Sequence, residues 1–135
     1  MNPTINKWGI PVLAGLVTGY LVQGPLQFWL YGNAPFLAPL LALAVAALVA
    51  WILARRVAED RRLGWALVTV GVAVGFYAFA VLVPTLFQQG GLDRDEKTAA
   101  FFVFLIMGLP MIVIMLGLII GGVVLLRRAG RARLR

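Results

Sequence analysis

The chain has 135 residues, 62% hydrophobic and 13% charged, with twelve Lys and Arg against five Asp and Glu for a net charge of +7. A soluble domain carries about a quarter charged residues, and a bilayer span needs a run of about 20 apolar ones. Here no charged residue occurs from Trp8 to Ala54, and the mean hydropathy is +0.96, so one domain in a lipid solvent is indicated and a soluble globule is excluded.

The first apolar segment runs from about Trp8 to Leu30. A cleaved signal peptide is not expected, because Lys7 is the sole early charge, the apolar run outlasts an h-region and no small-residue cleavage site follows. Tyr31-Gly32-Asn33-Ala34-Pro35 supplies turn chemistry, and a second span runs from about 36 to 54. Arg55, Arg56, Glu59, Asp60, Arg61 and Arg62 form the first charged block. A third span covers about 63 to 87, the loop at Gln88 to Leu92 follows, and the last span extends from about 98 to 126 before a basic tail, 127–135. Asp93 and Glu96 have capping-box spacing. A helix from Arg94 to Leu126 would measure roughly 50 Å, more than the roughly 30 Å hydrocarbon core, so tilt, a kink at Pro110 or protrusion must absorb the excess.

The fold class expected is therefore all-α: an integral membrane four-transmembrane-helix bundle with short loops. With the N-terminus inside, ten Lys and Arg lie on the inner side and only Arg94 and Lys97 outside. By the positive-inside rule both termini are cytoplasmic, most naturally in a bacterial inner membrane. Trp8, Trp51 and Trp65 fall at inner span ends and Trp29 at an outer one, where amphipathic rings belong.

Small residues recur at four-residue spacing: Gly15 and Gly19, Ala42 and Ala46 within a longer alanine series, Gly71 and Gly75, Gly117 and Gly121. In lipid, close backbone approach and dispersion carry helix packing, so these small-xxx-small ridges are the candidate seams, with the possibility that one faces a partner. Candidate ligand-contacting groups are few. Gln23 and Gln27 flank Pro25, which leaves the Leu21 carbonyl without its helical donor. Tyr20 and Tyr77 should lie at similar depth, either paired with each other or with Thr18 or a backbone carbonyl, or else touching a quinone, pigment or lipid of a host complex. Met107, Met111 and Met115 form a one-face stripe; thioethers ligate Cu(I), but gap-filling is the commoner use. Asp93, Asp95 and Glu96 suit a helix N-terminus. Arg55, Arg56, Arg61, Arg62, Arg127, Arg128 and Arg131 sit beside apolar spans, where anionic headgroups or an acidic partner, rather than nucleic acid, are the expected contacts.

All five carboxylates lie outside the spans. Proton-coupled transport places an ionisable group within the membrane; small multidrug exporters of this size rely on an embedded glutamate, which is missing here. No catalytic base or phosphate-cradling loop is present, so an enzyme is not expected. The reading is a non-catalytic accessory subunit of a larger membrane complex, respiratory or photosynthetic, without an intrinsic cofactor and surrounded by lipid and other integral membrane subunits. The alternatives are a self-assembling, holin-like pore or small transporter, and a lipid- or small-molecule-binding module.

Overall fold

A chain with seven prolines must reconcile them with helices, since each lacks an N–H and its ring meets the carbonyl four residues back. The computed structural model describes residues 2–30, 36–87, 94–132 and 134, with the side chains of all of these except 81–87, 94 and 100. Helices α1 (Ile10–Leu30), α2 (Leu37–Arg55), α3 (Arg62–Phe87), α4 (Arg94–Val103) and α5 (Leu109–Ala132) account for most of it. Two π-helical segments, Ile5–Gly9 and Phe104–Gly108, end one residue before α1 and α5, and each is followed immediately by a proline-bearing turn containing Pro11 or Pro110. Widening the helix from i→i−4 to i→i−5 bonding accommodates the missing donor and the ring. Pro39 needs no such device, because it stands in the first turn of α2, where N–H groups have no helical partner anyway.

The fourth rod, α4 through the π segment to α5, is continuous from Asp95 to Ala132, 38 residues, or roughly 57 Å at 1.5 Å per residue. It takes in the first six residues of the expected basic tail. The expected cap at Asp93, the turn at 31–35 and the loop at 88–92 lie outside the described residues; Asp95 and Glu96 stand in the first turn of α4. Among the described residues four helices are long and apolar enough to cross a membrane: Ile5–Leu30, Leu37–Arg55, Glu59–Ala80 and Asp95–Ala132.

Their packing is an open row rather than a closed ring. α1 lies along α2, α3 lies along α5, and α1 and α3 join the two pairs. α2 meets α3 only slightly, and no seam between α2 and α5 is present among the described residues. The α1–α2 seam follows from residue size. A Cβ on Gly15 would run into the Ala46 carbonyl, and one on Gly19 would lie 2.7 Å from the Ala42 carbonyl oxygen. The α3–α5 seam is built likewise. A Cβ on Gly64 would stand 3.0 Å from the Gly122 carbonyl oxygen, and one on Gly122 would stand 2.6 Å from that of Gly64. Only hydrogen at these positions lets the backbones approach so closely. Near one end, Ala14, Leu53 and Ala66 bring α1, α2 and α3 into a small common core, backed by Ile10, Val49, Val57 and Val70.

Candidate functional site

The end of the molecule bearing the α2–α3 connection is organised by a single arginine. α2 stops at Arg55, the backbone turns extended at Ala58, and a 3-10 turn, Glu59–Arg61, delivers the chain to Arg62 at the head of α3. Arg62 is only 6% exposed. Its Nε donates to the Leu53 carbonyl at 3.1 Å and its Nη2 to the Ala54 carbonyl at 2.9 Å. Nη1 reaches the Asn6 carbonyl at 3.5 Å and Glu59 Oε1 at 3.4 Å, and the Asn6 side-chain amide donates to the Glu59 carbonyl at 3.5 Å. A helix leaves its last four carbonyls unbonded and partly negative, and a planar guanidinium satisfies two of them at once. Arg62 therefore caps α2 and ties it to the segment before α1. Expected among the headgroup-facing arginines, it instead turns into the protein.

The neighbouring cations differ. Arg55 and Arg56 are exposed, with the Arg56 guanidinium 5.9 Å from the Trp51 ring centroid. Arg127, Arg128 and Arg131 are exposed on the last turns of α5. Arg61 is half-buried, and its Nε is fully covered without a hydrogen-bond partner among the described residues. Trp8, Trp51 and Trp65 are each about half exposed at this end, and Trp29, 54% exposed, stands at the other end with its ring edge-on to Phe76 at 6.0 Å.

The polar candidates do not converge. Tyr20 is 76% exposed on the α1–α2 side, whereas the Tyr77 ring packs on Gly24, where a Cβ would lie 2.7 Å from its Cε2. The two tyrosines are not paired: the α1–α3 crossing takes Tyr77 as its filler and leaves Tyr20 outside. Thr18 is buried, but its hydroxyl has no partner among the described residues. Tyr20 and Gln23 share a shallow groove of about 510 Å³ between α1 and α2, walled by Leu16, Pro39 and Leu43. Gln27 is exposed beyond it. Along the methionine stripe, Met115 fills the notch above Gly75, its Sδ 2.5 Å from a Cβ placed there. Met111 lines a small apolar groove of about 220 Å³ with Phe79 and Phe104, and Met107 is 61% exposed.

The small-residue ridges separate into two kinds. Gly15, Gly19, Ala42 and Ala46 lie in the α1–α2 seam, and Gly71 meets Ile119 and Leu118 as Gly75 meets Met115. A Cβ on Gly117 or Gly121 would meet nothing within 4 Å among the described residues. The α3–α5 seam also closes on Gly64 and Gly122, where backbone meets backbone and which the four-residue pattern passes over. Around the open pair, Val113, Ile114, Leu116, Ile120 and Val124 are 43–60% exposed. Only 6% of the best apolar window in this rod is buried, against 28–33% in the other three. No protein-family model, no curated protein and no solved structure matches the chain.

Proposed function

We propose that the protein is a non-catalytic accessory subunit of a larger membrane complex, inserted with both termini on the cytoplasmic side and docked through α5. The observation that carries this reading is the open pair Gly117 and Gly121. The other small ridges, at Gly15 and Gly19, Ala42 and Ala46, and Gly71 and Gly75, each receive a neighbouring helix, and this one has the same spacing and no occupant among the described residues. In hydrocarbon a bare glycine pair exposes backbone without gaining the close contacts that make such ridges stabilising. The occupant proposed is a transmembrane helix of another integral membrane protein. The charge balance supports the orientation, since Lys7, Arg55, Arg56, Arg61, Arg62, Arg127, Arg128 and Arg131 share one end, against Lys97 with Arg94 on α4 at the other.

The test is co-purification in mild detergent, with a single cysteine placed at Val113 or Val124 for crosslinking; the chain has no native cysteine. A distinct membrane protein crosslinked at both positions, and lost on Gly121→Leu, is the expected result. Recovery of the lone chain, or of homo-oligomers only, removes the proposal. Homo-oligomers accompanied by collapse of the ion gradient in expressing cells would establish the pore reading in its place.

A further inference from the structure

Two adjacent arginines on one turn have opposite circumstances. Arg62 has four acceptors within 3.5 Å, whereas Arg61 buries its Nε with none among the described residues. A covered guanidinium N–H without an acceptor forfeits its hydration and gains nothing in return. The Gly64–Gly122 contact presses the head of α3 onto α5, and Arg61, one turn before Gly64, brings its Nη2 to 4.0 Å from where a Gly130 Cβ would sit, near the end of α5. Arg127 and Arg131, one turn apart, border Gly130 on α5 and are exposed. Arg61 thus reaches the turn of α5 that Arg127 and Arg131 border, and with Glu59 and Asp60 as the two side-chain carboxylates of this end, Arg55, Arg56, Arg61, Arg62, Arg127, Arg128 and Arg131 still leave it an excess of cations.

We propose that Arg61, Arg127 and Arg131 form a binding site for the phosphate diester of an anionic phospholipid. A phosphate supplies several acceptors in the planar arrangement that guanidinium forks match, and its charge answers the local excess of cations. The lipid source follows from the setting. Trp65, one turn after Arg61, and Trp51 are half-exposed at this end, as rings at headgroup level are. The site is independent of the α5 docking face, which lies further along the helix around Gly117 and Gly121.

Native mass spectrometry of the full chain in a nonionic detergent measures it, with phosphatidylglycerol or phosphatidylcholine of identical acyl chains added. The expected result is one retained phosphatidylglycerol with about a fivefold or greater preference, the scale of a single cation at an anionic surface. R61Q and R131Q each lower that preference severalfold, R61K restores part of it, and R55Q leaves it within about twofold, since its charge lies outside the cluster. If R61Q fails to fold, R131Q decides alone, because Arg131 is exposed and outside the helix seams. Equal retention of the two lipids, or equal effects of R131Q and R55Q, overturns the site. Displacement of the lipid by millimolar inorganic phosphate would assign it to a free anion, and preference abolished only by a co-purifying acidic protein would assign it to that protein; either outcome overturns the lipid assignment.

Discussion

Replacing Arg62 by alanine tests whether one side chain fastens three segments together. The two short bonds, to the Leu53 and Ala54 carbonyls, join a charged donor to the negative end of α2. Bonds of this kind contribute about 1.5–3 kcal/mol each, and water reaching the freed carbonyls offsets part of the loss. The longer contacts to Asn6 and Glu59 are at the limit of hydrogen-bond geometry and add little. We expect Arg62→Ala to lower stability by about 2–4 kcal/mol on that basis. Arg62→Lys should recover less than half, because one ammonium does not span two carbonyls as a fork does. Arg55→Ala, at an exposed site, should cost under about 0.5 kcal/mol. The assay is reversible unfolding in mixed micelles, titrating a denaturing detergent and following the fluorescence of the four tryptophans. If Arg62→Ala and Arg55→Ala coincide within about 0.5 kcal/mol, surface-like behaviour in both, the clamp is refuted.

The seams give a contrast of their own. Gly19→Ala drives a methyl against a backbone carbonyl and should cost about 1–3 kcal/mol, the range of overpacking, whereas Gly75→Ala meets only the movable end of Met115 and should cost clearly less in the same titration. Gly121→Leu enters open space, so it should leave unfolding within about 0.5 kcal/mol of the parent while removing any crosslinked partner. Pro110→Ala removes the reason for the π segment; return to α-helical bonding takes out the extra residue per turn and rotates α4 by about 100°. Single cysteines at Phe101 and Phe102, both exposed now, react alike with a maleimide in the parent and should come to differ once α4 is rotated; reactivity that stays alike would contradict the account. Cysteines at Asn2 and Leu134 should react with an impermeant maleimide only after cells are opened; labelling of either in intact cells reverses the orientation.

The number of long helices was legible because hydrocarbon thickness imposes a run length that composition reveals directly. The seams were legible in part. Four-residue spacing identifies small ridges, but these helices are apolar on nearly every face, so no polar stripe tells which way each is turned. That is why Gly122, one residue past Gly121 and about 100° around the helix, meets α3 while its neighbour does not. The same phase problem hid Arg62 within the run Arg61-Arg62, where either residue could turn inward until the position of the α2 carbonyls was known. It also separated Tyr20 from Tyr77, whose equal depth said nothing about azimuth. The π segments escaped because a proline announces a disturbance without saying whether the helix bends or widens.

An open row of helices has two margins, as a β-sheet has two edge strands, and here the margins are unlike. α2 contains no glycine and presents Leu40, Leu43 and Leu48, each 56–63% exposed. The other margin is notched at Gly117 and Gly121. Rings of identical subunits repeat a head-to-tail contact that engages both margins of every copy, whereas a two-fold pair uses the same margin twice. On the docking proposed above, through the notched margin alone, assembly would end after one step, either against a foreign helix or back to back with a twin, and would not propagate around a channel.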